Sequence, residues 1–151
     1  MTAWGDLRDY ATELEAPKIV LDRLKVLLSH YQALGFDGFE TFISESIDDD
    51  GLRRFNSLWL FNDTSTMEAL LTENDDDQLD GAPLRGRLLR WAIRTRNYDF
   101  KKATADSRMS AQIWYSNDIW GELEATGKNC DNLRARLERY VIPETDGTAR
   151  S

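Results

Sequence analysis

The stretch FETFISESIDDDGLRRFNSLWLF (residues 39–61) predicts a β-hairpin and, with it, the class of the fold. Its first part, FETFISES (39–46), and its last part, LRRFNSLWLF (52–61), are rich in the aromatic and β-branched residues that favour strands. DDDG (48–51) between them is a turn signal, because Asp and Gly tolerate the backbone angles of tight turns. We therefore expect two antiparallel strands here.

Two helices are predicted before this hairpin. Residues 3–15 carry apolar side chains at helical spacing, and Pro17 suits the first turn of a second helix, which Gly35 ends. The second helix is apolar on two sides, so we expect one side to pack inside the domain. The narrower stripe on the other side consists of Ile19, Val26 and His30, and we expect it to meet the first helix or to form the interface of a homodimer.

The hairpin has a counterpart in the second half of the chain. SLWLFND (57–63) and QIWYSND (112–118) coincide at both Trp and Asn-Asp when they are aligned at an offset of 55 residues. RLLRWAIRTRNYDF (87–100) and RMSAQIWYS (108–116) predict the two strands of a second hairpin. For residues 87–100, the alternative is a helix that begins after Pro83.

Each hairpin is predicted to lead into a helix. Ser65 and Glu68 have the spacing of a capping box, which indicates a short helix after the first hairpin. After the second hairpin, Asn117 or Asp118 is expected to cap a helix that runs through Ala125.

The predicted fold class is therefore α+β. We expect an N-terminal helical pair, an antiparallel sheet of four or more strands built from two ββα-like units, and a C-terminal helix over Asp131–Val141. Residues 1–142 are predicted to form one domain and residues 143–151 a flexible tail.

The composition limits the chemistry that the chain can carry. The sequence has one Cys and one His, which excludes an internal disulfide, a multi-cysteine zinc site and a multi-histidine metal site, so no metal or cofactor is predicted. A net charge of −8 disfavours general nucleic-acid binding. Apolar runs long enough to cross a bilayer and a secretory signal pattern are both absent from the sequence, which predicts a cytoplasmic protein without a membrane partner.

One segment runs against this acidic balance. Residues 84–108 hold eight basic side chains and two acidic ones, whereas residues 37–50 and 63–80 hold acids and no base. Strand alternation directs several of these arginines, and both tryptophans, away from the clear apolar faces. One sheet face is thus predicted to bind a partner, and its residues are Arg53, Trp59, Arg90, Arg94, Arg96, Arg108 and Trp114. The alternative is that the N-terminal helices cover this face and that the tryptophans belong to the core.

Arg and Trp are enriched at protein–protein hot spots, and guanidinium groups pair with carboxylates. The sequence therefore favours a non-catalytic protein-binding or regulatory module of the inhibitor, immunity or adaptor type, whose partner is a protein with an acidic surface. A nucleotide or single-stranded nucleic-acid binder on the same face is the first alternative. The second is a metal-dependent nuclease at Asp99 and Lys101, an acid-x-Lys spacing that occurs readily by chance.

Overall fold

Seven strands and three helices follow one another in the part of the chain that the computed structural model describes, which is residues 3–33, 38–62, 66–71, 81–84, 88–98, 102–115 and 120–141. No helix within these ranges is long and apolar enough to cross a membrane. The elements are α1 (Ala3–Glu13), α2 (Lys18–Ala33), β1 (Glu40–Ile47), β2 (Arg53–Phe61), β3 (Thr66–Leu70), β4 (Gly81–Leu84), β5 (Leu88–Arg96), β6 (Arg108–Tyr115), β7 (Trp120–Thr126) and α3 (Asn129–Arg136), which a π-helical turn (Leu137–Val141) extends.

The first hairpin is confirmed. β1 and β2 pair antiparallel from Glu40 opposite Phe61 to Ile47 opposite Arg53. The Asp48 carboxylate closes the turn between them, because its Oδ1 accepts hydrogen bonds from the backbone N–H groups of residues 50 and 52 at 3.0 and 2.9 Å. Gly51 lies at φ +81°, a backbone angle that a residue with a Cβ adopts at a cost. The turn chemistry of DDDG thus fixes the register of both strands.

The helix predicted from Ser65 and Glu68 is wrong. Residues 66–70 form β3, which pairs antiparallel with β2 from Phe61 opposite Thr66 to Ser57 opposite Leu70. A helix this short is marginal, whereas a strand here satisfies backbone groups along the second edge of β2. β4 then pairs with β3, so the first sheet has the order β1-β2-β3-β4.

The helix predicted through Ala125 is also wrong. Residues 120–126 form β7, which pairs with β6 in a second antiparallel sheet of order β5-β6-β7. Within it Leu123 and Ala125 are buried while Glu122 and Glu124 are half-exposed, which is the period of two of a strand. Residues 117 and 118, the predicted caps, lie outside the described residues.

The prediction of the α+β class is confirmed, but the strands divide between two sheets, and a strand rather than a helix follows each hairpin. Residues 88–96 form a strand, as predicted, and the last helix is present from Asn129 onward.

Both faces of the first sheet are covered. The N-terminal helices pack on the face that carries Leu58 and Leu60, and the second sheet, together with α3, packs on the face that carries Trp59. The cluster on the helix side contains Leu7, Ala11, Leu14, Leu24, Leu27, Leu28, Tyr31, Ile43, Leu58, Leu60, Ala69 and Leu71. The cluster between the sheets contains Phe42, Trp59, Phe61, Tyr98, Met109, Ala111, Ile113, Leu123, Ala125, Cys130, Leu133 and Leu137.

Trp59 is the largest fully buried side chain of the described residues. Its indole N–H donates to Ser57 Oγ at 3.1 Å, and its ring stacks with Phe61 at 6.1 Å between centroids. Gly121 on β7 makes room for it, because a Cβ added there would lie 2.3 Å from Trp59 Cη2. The packing of the two sheets is therefore fitted around this indole.

Candidate functional site

The two sheets meet where the edge of β1 lies beside the edge of β7, and side chains rather than a strand ladder join them. The Glu124 N–H donates to Ser44 Oγ at 2.9 Å. Glu45 Oε1 accepts the Thr126 hydroxyl at 2.7 Å and the Thr126 N–H at 3.3 Å. We call this junction the seam. Side chains of β1 thus accept hydrogen bonds from the backbone N–H groups of residues 124 and 126, at the edge of β7.

Glu45 is the charged residue at the centre of the seam, and it is fully buried. Its Oε2 accepts no hydrogen bond from the described residues, although Arg53 Nε lies 3.4 Å away. Burial raises the pKa of the Glu45 carboxyl, and the hydrogen bonds of Thr126 and the charge of Arg53 oppose that rise. Arg53 also donates to the carbonyl oxygen of Leu14, which ties the seam to the end of α1.

The second sheet has an inner face in the core and an outer face whose described residues are half-exposed or exposed, apart from Thr126, which is buried at the seam. We call the latter the outer face. Its rows follow from the strand register, since residues directly opposite each other share a face. Arg94, Ser110 and Glu124 form one row, and Arg96, Arg108 and Thr126 form the next. The outer face therefore has arginines on β5 and acids on β7.

A cleft of about 260 Å³ is lined by these two rows and by the end of β1. Arg94, Arg96 and Arg108 contribute its three basic side chains, and Glu45 and Glu124 contribute its acids. A smaller depression of about 130 Å³ adjoins the cleft at Arg94 and Ser110, and it is also lined by Ala92, Gln112 and Glu122. Because the three guanidinium groups outnumber the carboxyls, this surface suits an anionic group.

The acidic side of the outer face is less charged than its composition implies. The pKa of Glu124 is raised from 4.5 to about 7. Burial is the largest cause, followed by the adjacent Glu122, whose carboxyl forms a hydrogen bond with Glu124 and whose negative charge opposes its ionisation. The pKa of the Glu45 carboxyl is raised as well, chiefly by burial. The carboxyls of the cleft are thus held closer to neutrality than exposed ones, which leaves the arginines dominant.

The predicted binding residues separate into two groups. Arg94, Arg96, Arg108 and Trp114 lie on the outer face, and the three arginines line the cleft. Arg90 lies opposite Trp114 by backbone register, and its side chain is outside the described residues.

The other two members do not join this surface. Trp59 is in the core between the sheets, so its assignment to an exposed face is wrong: strand alternation does direct it away from Leu58 and Leu60, but the second sheet covers that side. Arg53 belongs to the first sheet and faces Glu45.

The predicted dimer stripe faces outward. Ile19 and Val26 are each 53% exposed, His30 is exposed, and the opposite side of α2 is buried in the helix-side cluster. Homodimerisation through this stripe stays a prediction. Asp99 and Lys101 of the nuclease alternative lie outside the described residues, and the described residues hold no group of three or more side chains that could bind a metal ion.

Sequence reasoning missed Glu45 and Glu124 as members of the site. Glu45 belongs to the predicted strand FETFISES, but its partner Thr126 is 81 residues away along the chain, so no local pattern indicates that the two residues meet. The capping signal at residues 117 and 118 predicts a helix at Glu124, although the alternation of Gly121, Leu123 and Ala125 with two glutamates indicates a strand.

Comparison with known proteins gives no family for this chain: no family model matches it, and neither a curated protein nor a solved structure is significantly similar to it.

Proposed function

We propose that this chain is a non-catalytic protein-binding module that holds an acidic surface of its partner against the outer face of the second sheet. The observation that carries the proposal is the convergence of Arg94, Arg96 and Arg108 on one cleft. Guanidinium groups form forked hydrogen bonds with carboxylates, and Arg is enriched at interface hot spots. A regulatory role of the inhibitor, immunity or adaptor type is consistent with such a surface.

The size of the cleft favours a partner surface over a free nucleotide. About 260 Å³ is below the usual range for small-molecule pockets, and the cleft adjoins a smaller depression on the same sheet face. Trp114 is four residues from Ser110 along β6, which separates it along the strand from the nearer of the two rows, that of Arg94, by about 13 Å. A protein surface spans both features more readily than a single base and phosphate do.

The chemistry of the single cysteine supports a binding role rather than covalent catalysis at that residue. Cys130 is fully buried, and burial raises the pKa of its thiol to about 12. The thiolate, which is the nucleophilic form, is therefore scarce near neutral pH.

The proposal is tested by charge reversal on the outer face. The tagged chain is used to capture proteins from the native host, and the captured proteins are identified by mass spectrometry. Arg94→Glu with Arg96→Glu is expected to abolish capture of the specific partner, because both exposed side chains would then repel an acidic surface. The matched control reverses two exposed charges on the helices, Arg8→Glu with Lys18→Glu, and should leave capture unchanged. Capture that survives the first pair of substitutions and is lost with the second would place the partner on the helical layer instead.

A further inference from the structure

The strand β5 has a long edge that pairs with no other strand in the described part of the chain. Its nine residues have β6 on one side, and the sheet ends there. A strand edge of this kind offers a row of backbone N–H and C=O groups to an added strand.

The other strand edges either form hydrogen bonds with neighbouring side chains or are short. Along β1, the Ile43 N–H donates to Tyr10 Oη at 3.0 Å, and Asn129 Nδ2 donates to the Ile43 carbonyl at 2.8 Å. The edge of β7 is occupied at the seam by Ser44 and Glu45. The remaining edge strand, β4, is only four residues long. Within the described residues, β5 therefore presents the longest edge that neighbouring side chains leave open.

The charges on β5 decide what can pair with it. The strand contains three arginines and no acid, and the described members Arg94 and Arg96 are exposed. In an antiparallel pairing of β5 with a second copy of itself, arginines would lie opposite or diagonal to arginines, and like charges on facing strands are destabilising. A strand with acids at alternate positions would instead place each carboxylate beside a guanidinium group.

We infer that an extended acidic segment of the partner binds by adding a strand to the edge of β5, with its acidic side chains beside Arg94 and Arg96. This inference rests on the proposed function and specifies how the partner engages the site. Backbone hydrogen bonds supply affinity in this mode, and alternate side chains supply specificity. The net charge of −8 does not prevent it, since at 0.15 M salt charges more than about 8 Å away are largely screened.

The test uses a synthetic peptide of alternating threonine and glutamate, acetylated and amidated, which is nine residues long to match β5. Its affinity for the full chain is measured by calorimetry at 0.15 M salt. Two further peptides carry N-methyl groups on every second amide, one in the odd and one in the even positions. In an added strand, alternate N–H groups point to opposite sides, so one methylated set removes the hydrogen bonds to β5 and the other leaves them intact.

We expect the parent peptide to bind, one methylated peptide to bind about tenfold more weakly or worse, and the other to bind within about threefold of the parent. Arg94→Glu with Arg96→Glu should weaken the parent peptide by about tenfold or more, and Arg8→Glu with Lys18→Glu should not. Circular dichroism on each variant verifies that the fold is retained.

Two results would overturn the inference. If the parent peptide does not bind, or if both methylated peptides bind as the parent does, strand addition at β5 is wrong. The proposed function fails separately, when charge reversal at Arg94 and Arg96 leaves capture of the native partner intact. Partner capture that depends on these arginines, together with two equally bound methylated peptides, would assign the partner to the outer face rather than to the edge.

Discussion

Trp59 shows how a single residue constrains two sheets. The nearest atoms to a Cβ added at Gly121 are Cη2, Cζ2 and Cζ3 of its indole, at 2.3, 3.1 and 3.3 Å. Real Cβ atoms do not approach other carbons this closely, and the indole is fully buried and stacked with Phe61. The close approach of β7 to the indole is therefore possible only because residue 121 has no side chain.

We expect Gly121→Ala to lower the free energy of unfolding by about 1–3 kcal/mol through overpacking. The direction of this change in stability is informative, because alanine in place of glycine inside a strand otherwise stabilises the folded protein. Urea denaturation of the variant and of the double variant with Trp59→Phe provides the measurement. Phenylalanine lacks the three contacting atoms, so it should recover part of the loss that alanine causes. Additive losses in the double variant would mean that the two residues do not clash.

Alternation along β2 predicted correctly that Trp59 points away from Leu58 and Leu60, but it could not predict what covers it. Either the helices or the second sheet satisfies the same pattern, since both bury apolar side chains. The choice depends on contacts between residues far apart in the chain, such as Trp59 with Gly121. The indole of Trp59, predicted to be exposed, is therefore fully buried.

At the scale of the element, strands were predictable where turn residues and alternation agreed. The turn at residues 48–51 and the alternation on both sides of it gave β1 and β2 correctly. For β3 and β7 two local signals, a capping spacing and an Asn-Asp pair, predict helices, whereas strand pairing decides the structure. Local capping contributes about 1 kcal/mol, which a complete strand ladder outweighs.

Strand β7 carries the clearest effect of pH on stability. Glu122 and Glu124 lie two residues apart on one strand face, and the pKa of Glu124 is raised from 4.5 to about 7. Arg94 is in the same row, two strands away across Ser110. The folded protein therefore binds this proton more tightly than the unfolded chain does, so the contribution to stability is complete below pH 4.5 and declines as pH rises to about 7.

We expect Glu122→Gln to make the free energy of unfolding less dependent on pH between 4.5 and about 7, because the neighbouring charge no longer opposes ionisation of Glu124. The difference from the wild type should be on the order of 1 kcal/mol across this window, since solvent screens the half-exposed pair. Thermal or urea unfolding at several pH values measures it, with Glu138→Gln on the exposed side of the C-terminal turn as the control. Parallel pH profiles for wild type and Glu122→Gln would contradict the assignment.

For the whole molecule, the site was predictable to the extent that it lies within one sheet. Arg94, Arg96, Arg108 and Trp114 share the outer face because β5 and β6 are neighbours in the chain and their alternation is visible in the sequence. Glu45 reaches the same cleft from the first sheet, across the seam. Its position depends on how the two sheets meet, and no local pattern in the sequence encodes that.

A second junction joins the N-terminal and C-terminal parts of the chain. Tyr10 on α1 donates its hydroxyl hydrogen to Asn129 Oδ1 at 2.6 Å and accepts the Ile43 N–H at 3.0 Å. Asn129 Nδ2 completes the triangle through the Ile43 carbonyl at 2.8 Å. Burial is the largest cause of the raised pKa of Tyr10, so its hydroxyl stays protonated and remains a donor over the ordinary pH range.

Tyr10→Phe should lower the free energy of unfolding by about 1–3 kcal/mol, because the Ile43 N–H then lies buried without its acceptor. Asn129→Ala should cost a similar amount, and the double variant should lose less than the sum, with a coupling of about 0.5–3 kcal/mol. Thr12→Ala, which removes an exposed hydroxyl from the same helix, should change stability by less than about 0.5 kcal/mol. Urea denaturation of the wild type, the two single variants and the double variant measures this coupling. Strict additivity of Tyr10→Phe and Asn129→Ala would show that the two residues stabilise the fold independently, and that the hydrogen bonds of Tyr10 and Asn129 do not act as one unit.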